Sequence, residues 1–210
     1  GSYDDIYYTS IWGDSRYGQT EIQLNSAHDF QIKDWWKLSL AADARWDALN
    51  STNYHASRFT ALSALASSFR TERFMATVAL EYEGAFDRDG LSRNALSPSA
   101  DLRFTAFEGF DIVAFGRRAY RIPTFNELYY VGYGNPQLAP EDAWLTDLGI
   151  DFNRRVNAAW TMKLKADIFY NLLKNKIISA PTEEDPNMWA PYNIGRVRSA
   201  GMDFLAGTSY

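Results

Sequence analysis

Apolar and polar residues alternate one for one along several stretches of this chain. That period of two confines them to β-strands, whose successive side chains leave opposite faces. From Trp36 to Trp46 one parity reads Trp36, Leu38, Leu40, Ala42, Ala44, Trp46, and the other Lys37, Ser39, Ala41, Asp43, Arg45. The stretch from Trp160 sets Trp160, Met162, Leu164, Ala166, Ile168 and Tyr170 against Thr161, Lys163, Lys165, Asp167 and Asn171. Phe74, Ala76, Val78, Leu80, Tyr82 and Phe86 oppose Thr77, Glu81 and Glu83, while Phe59, Ala61, Leu65 and Phe69 oppose Arg58, Thr60, Ser68 and Arg70. Half-buried soluble sheets alternate too, so the aromatic spacing carries the next step. Trp36 to Trp46, Phe59 to Phe69, and Trp160 to Tyr170 are each ten residues apart on the apolar parity. Ten residues at about 3.3 Å reach roughly 33 Å along a strand. A tilt of roughly 40–45° projects this to about 25 Å, the height of the lipid-facing band between a barrel's aromatic girdles. The reading is all-β, with antiparallel strands of a transmembrane β-barrel.

Strands are expected near residues 18–30, 35–47, 57–70, 73–86, 97–105, 109–119, 143–153, 158–172 and 200–210. Tight turns at Lys33–Asp34, Thr71–Glu72, Phe107–Gly109 and Arg154–Asn157 alternate with longer loops at Ala48–Ala56, Asp87–Leu96, Tyr120–Asp142 and Lys174–Tyr192. Short turns on one rim and long loops on the other are a barrel habit. The Pro-rich acidic stretch Pro181–Pro191 reads as a loop rather than a linker, and nothing suggests a second domain.

Composition narrows function mainly by exclusion. The 210 residues are 46% hydrophobic and 16% aromatic, with 13 Tyr, 13 Phe and 7 Trp, types that favour strands and membrane interfaces. A net charge of −5 offers no basic field for nucleic acid. The absence of cysteine removes disulfide and thiolate–metal chemistry. No apolar run approaches the roughly 18 residues of a transmembrane helix. The mean hydropathy of −0.36 still suits barrel strands, which turn only every second residue to lipid. No leader sequence is visible, and Gly1–Ser2 reads as an arbitrary start. His28 and His55 are too few and too far apart for a metal motif; His28 falls on the apolar parity and His55 in an outer loop. Glu81, Glu83, Asp43, Asp167 and Asp203 share polar parities with Arg45, Arg58, Lys163 and Lys165, as residues lining a wet lumen would. Residues Thr182–Asn187 lack calcium-loop spacing, and no nucleophile elbow or phosphate loop appears. No cofactor, metal site or enzyme activity is expected.

The most informative segment is Tyr120–Phe152, YRIPTFNELYYVGYGNPQLAPEDAWLTDLGIDF. Arg121, Pro123, Thr124, Glu127, Leu128 and Tyr129 form an R-x-P-T-x-x-E-L-Y run. Gly134, Asn135, Pro136, Leu138, Pro140 and Glu141 follow as G-N-P-x-L-x-P-E, and Leu148–Gly149 opens a strand in which Asp147 stands where Glu is common. This resembles the signature of TonB-dependent outer-membrane receptors. Leu96–Phe104, Asp167–Tyr170 through Ile178, and Asn193–Gly195 through Asp203 resemble further motifs of that family, in order. Taken by themselves, the prolines, Gly134 and Asn135 describe an ordered turn-rich loop, and an Arg121–Glu127 pair would pin its mouth.

The resemblance implies a 1–210 piece of a receptor barrel of 22 strands, of which about nine or ten are present. The N-terminal plug and the remaining strands would lie outside the piece. It implies the outer membrane of a Gram-negative bacterium, contact with its lipid, and import of a scarce ligand. The ligand would be a ferric siderophore, cobalamin or a similar small molecule or metal chelate, with energy from the TonB complex acting through the plug. Tyr129 to Gly134 holds no His, the residue haem receptors of the family often carry there, which turns the expectation away from haem. Tyr129, Tyr130 and Tyr133, with Trp189 and Tyr192, are the candidates for lining the ligand vestibule. Open sheet edges aggregate in water and are not tolerated in lipid, so they call for the rest of a barrel, a partner such as a surface lipoprotein, or self-association. The alternatives are a small barrel acting as hydrolase or adhesin, with His55 and Asp47 as the only available dyad, and a soluble β-sandwich.

Overall fold

A computed structural model of the chain describes residues 1–10, 13–155, 157 and 160–209. Residues 156, 158 and 159, where a turn and the start of a strand are expected, lie outside the described residues, as do residues 11, 12 and 210. Ten strands follow one another: β1 (Ser2–Ser10), β2 (Gly13–Lys33), β3 (Trp36–Ser51), β4 (His55–Arg70), β5 (Phe74–Asp87), β6 (Ser92–Phe107), β7 (Phe110–Arg121), β8 (Glu141–Arg155), β9 (Thr161–Pro181) and β10 (Trp189–Ser209). A short helix, α1 (Phe125–Tyr129), lies between β7 and β8. The strands form one antiparallel sheet whose spatial order is the chain order, as in an up-and-down barrel wall. With one sheet there is nothing for a sandwich to pack against.

The registers convert the alternation into two continuous faces. Trp46 lies opposite Phe59 and Phe59 opposite Phe86; Leu40 pairs with Leu65, and Leu65 with Leu80. Leu148 pairs with Ile168, and Ile168 with Met202. The apolar parities of β2 to β10 therefore share one face. That face is uncovered: Leu148 is 50% and Ile168 55% exposed. So large an apolar surface calls for a cover, lipid or another protein layer. Aromatic rows bound it. At the turn rim Trp35, Trp36 and Phe69 stack with centroids 6.2–6.3 Å apart, and Phe107 lies 4.9 Å from Phe110. At the loop rim stand Trp46, Phe59, Phe86, Trp144 and Tyr170. Asp43, Arg45, Glu81, Glu83, Asp167, Asp203, Lys163 and Lys165 fall on the opposite, polar face, as expected for a lumen wall.

The loops depart from expectation. β1 was not anticipated, and the connections at the loop rim are mostly short, because the strands run past the apolar band. Ala48–Ala56 reduces to residues 52–54, Asp87–Leu96 to 88–91, and Lys174–Tyr192 to 182–188. Polar strand residues keep their ladder hydrogen bonds beyond the apolar band, so a change in polarity there does not end a strand. Among the described residues only 122–140 form a long connection. The buried apolar residues among those described are Tyr54, Ala56, Ala85, Ala95, Leu128, Leu138 and Ile177. All lie at the loop rim, where that connection folds over the polar face.

Candidate functional site

The connection begins with a self-contained cap. Thr124 is the N-cap of α1: its hydroxyl accepts from the Glu127 amide at 3.3 Å, while the Glu127 carboxylate accepts from the Thr124 amide at 2.7 Å. This reciprocal pair, written T-x-x-E in the sequence, satisfies two donors that a helix start leaves open. The same carboxylate receives Arg121 Nη1 and Nη2 at 3.0 and 3.2 Å. Arg121 Nε reaches past it to Glu141 at 2.8 Å. Glu141, at the start of β8, also accepts the Ile177 amide at 2.8 Å and faces Lys176 Nζ at 3.6 Å. The Arg121 hydrogen bond, opposed by burial and aided by the Ile177 amide, holds the Glu141 carboxyl down at about 2. The expected Arg121–Glu127 pair is thus present, but as part of a triad that ties both ends of the connection to β9.

The connection is then held to the sheet on two sides. Toward β3–β6, the Tyr54 hydroxyl donates to Asn126 Oδ1. Arg58 Nη1 donates to the Pro123 carbonyl at 3.0 Å, and its guanidinium lies 5.0 Å from the Phe125 ring. Arg58 also grips Asp87 with two bonds of 2.6 and 3.1 Å, and Arg93 adds a third at 2.9 Å. The Tyr129 hydroxyl completes the junction, donating to Asp87 at 3.0 Å and Asp89 at 2.7 Å. The Asp87 side chain is 1% exposed. Burial alone would raise its carboxyl, but the Arg58 bonds and charge, the Tyr129 hydroxyl and Arg93 outweigh it and leave it lowered. Toward β9–β10, Asn193 brackets Ala139, accepting its amide at 2.8 Å and donating to its carbonyl at 2.9 Å. Asn135 Nδ2 donates to the Pro191 carbonyl at 3.1 Å, and Leu128, Leu138 and Ile177 pack beneath. Gly134 is required here: a Cβ would sit 2.7 Å from backbone atoms of Leu128, Tyr129 and Tyr130.

Of the expected vestibule residues, Tyr129, Tyr130 and Tyr133 come together. Tyr130 and Tyr133 lie edge-on at 6.5 Å, and Tyr54 joins them with its ring 6.4 Å from Tyr129 and 6.3 Å from Tyr130. Trp189 sits apart at the tip of the β9–β10 hairpin, 52% exposed. Tyr192 alternates with the inward Asn193 and pairs with Ile178, so it lies on the outward face. The hydroxyls of the cluster are engaged: Tyr130 bonds Tyr17, Asn53 donates to Tyr17 at 3.0 Å, and Tyr133 meets Ser179 at 2.5 Å. Burial, then Asp89 and Asp87, push the Tyr129 phenol far up. Burial with Tyr17 and Tyr130 nearby pushes Tyr54 up to about 12. Tyr129 and Tyr54 are therefore held as neutral phenols. Tyr17, Tyr54, Asp87 and Arg93 are site residues that sequence reasoning missed. Tyr129 and Asp87 are 42 residues apart, and no local pattern links them.

His55 pairs with Asn50 on the outward parity, whereas Asp47 pairs with Arg58 on the polar one. The hydrolase dyad is not assembled. Among the described residues no group of three or more His, Cys, Asp or Glu is placed to hold a metal ion.

The family model "TonB dependent receptor-like, beta-barrel" matches residues 2–210. A vitamin B12 transporter, BtuB, from Vibrio vulnificus (strain YJ016) is 25% identical over 171 residues, covering 78% of this chain and 25% of its own length. The chain thus spans a quarter of that relative. The siderophore receptor PirA from Pseudomonas aeruginosa superposes with a TM-score of 0.73 at 21% identity, over 94% of this chain and 42% of that one. The FrpB iron transporter from Neisseria meningitidis gives 0.72 at 16%, over 94% and 34%. The ten-strand antiparallel sheet is shared with these solved structures, the family model covers nearly the whole chain, and this chain belongs to the TonB-dependent receptor β-barrels.

Proposed function

We propose that the chain is the loop-bearing part of an outer-membrane receptor that imports a scarce nutrient, a ferric siderophore, cobalamin or a similar compound, with energy supplied through TonB. The observation that carries this reading is the Arg121–Glu141 connection, docked over the polar face at one rim of a lipid-facing sheet. A passive wall needs no such inward structure. In this reading Tyr129, Tyr130 and Tyr133 present ring faces to the ligand from a rigid base, while Trp189 and Tyr192 stand on the flanking hairpin. Aromatic surfaces of this kind suit a bulky chelate or macrocycle. Membership of a family that includes a vitamin B12 transporter supports the transport class.

The test is uptake of radiolabelled ferric siderophores, haem and cobalamin by cells with and without the gene. Loss of uptake of one compound, restored by the gene and abolished when TonB is removed, is the expected result. Unchanged uptake of every compound would overturn the reading, and uptake indifferent to TonB would overturn its energetic part. Fractionation of the envelope, with the protein expected in the outer membrane, checks its location.

A further inference from the structure

Residues 122–140 contain a single charged side chain, Glu127, in a chain that is 22% charged. That carboxylate is committed at the base of the connection, to the Thr124 amide and the Arg121 guanidinium. The residues that the connection leaves exposed are Thr124, Asn126, Val131, Gly132, Pro136 and Gln137, none of them charged. The inward arginines around it are committed as well. Arg45 binds Asp47 at 2.9 Å, Arg58 and Arg93 share Asp87 at 2.6 and 2.9 Å, and Arg121 binds Glu127 and Glu141 at 3.0 and 2.8 Å. These pairs are complete within β3–β8, away from either edge of the sheet. Arg88, in the β5–β6 turn, lies instead beside His55 and Ser57, which stand on the outward parity.

The crest of the connection continues the pattern. Tyr130 and Tyr133 flank a turn that the Tyr133 amide closes on the Tyr130 carbonyl at 3.1 Å. Gly132, at φ 76°, fills the third position, where such a turn needs a positive φ. Val131 is thereby raised to the apex, 68% exposed.

We infer that this wall seats an electrically neutral ligand and excludes anionic chelates, with Val131 among the residues that set the discrimination. An anion placed here would give up hydration and meet no uncommitted cation. An uncharged chelate or macrocycle loses less and gains contact with the rings of Tyr130 and Tyr133 and with Val131. Discrimination of this kind comes from withholding a partner rather than from adding one. The inference rests on the import reading above and narrows its ligand class.

The test is equilibrium binding to the full-length receptor purified in detergent. The probes are cyanocobalamin and a cyclic ferric trihydroxamate, both uncharged, and a ferric tricatecholate, which is anionic at its metal centre. Wild type is expected to bind at least one uncharged probe, and the tricatecholate roughly tenfold more weakly or worse. V131K, which places a cation at the apex, is expected to shift that ratio toward the tricatecholate roughly fivefold. V131Q, of similar length but uncharged, is expected to keep the wild-type ratio. Tricatecholate binding as tight as that of the uncharged probes, or binding of neither uncharged probe, would overturn the inference. Equal ratios in V131K and V131Q would remove Val131 from it. Failure of the import reading shows separately, as uptake of every compound unchanged by loss of the gene.

Discussion

At the residue scale the signature is a set of anchors. Asp87 holds Arg58, Arg93 and Tyr129 at once. Removing one partner of a buried ion cluster typically costs about 3–5 kcal/mol, because the remaining charges stay buried and unpaired. Asp87→Ala is therefore expected to release residues 122–140 from β4–β6, read as faster hydrogen exchange there; unchanged protection would show that Asp87 is not an anchor. Glu141 adds a pH dependence. Its carboxyl is held down at about 2, against about 4.3 for a free glutamate. The stabilisation is complete above that free value and fades as pH falls from about 4.3 toward 2. Proteolysis of residues 122–140 should accelerate across that window in wild type, and Glu141→Gln should remove the dependence. The Arg121–Glu127 pair was legible from spacing, and Thr124–Glu127 was legible as a capping box but went unread. The Tyr129–Asp87 contact was not legible at all, since only the curvature of the sheet brings β5 under the connection.

At the scale of elements, period-two patterning located nine strands because one face of the sheet is apolar and the other polar. Where that contrast ends, so did the signal. β1, SYDDIYYTS, places two aspartates in succession, and the upper parts of β9 and β10 read as loop although each strand runs for 21 residues. Backbone pairing in these stretches continues without an apolar band. Hydrogen exchange distinguishes the two readings directly. Amides of residues 176–180 and 190–194 that donate within the ladder should exchange far more slowly than those of the tip at residues 183–187. Equal, rapid exchange across both would mean the extension is a loop. The extension matters to the site because it places Asn193, Ser179 and Ile177 against the inward connection, so a floppy hairpin would leave that connection held from one side only.

At the scale of the whole molecule the sheet is inside out: its buried apolar residues cluster at one rim, and its large apolar face is uncovered. Two explanations compete, a lipid-facing band and a face awaiting another protein layer. They differ in how tolerance of charge varies with height. Against lipid, an arginine at mid-band costs about 2–4 kcal/mol and one near the interface about 0–1 kcal/mol, because the longer side chain reaches headgroups. Against protein, the cost follows local packing and has no reason to track depth. Leu148, paired with Ile168 in mid-band, and Trp144, on the girdle four residues nearer the loop rim, share one strand and one face. Both are similarly exposed, at 50% and 44%, so neither is favoured by burial in the sheet. Leu148→Arg is expected to cut the amount of heat-modifiable receptor assembled in the outer membrane severalfold, and Trp144→Arg to leave it near wild type. Equal losses at both positions would favour a protein-covered face, and no loss at either would remove the lipid-facing band from the account.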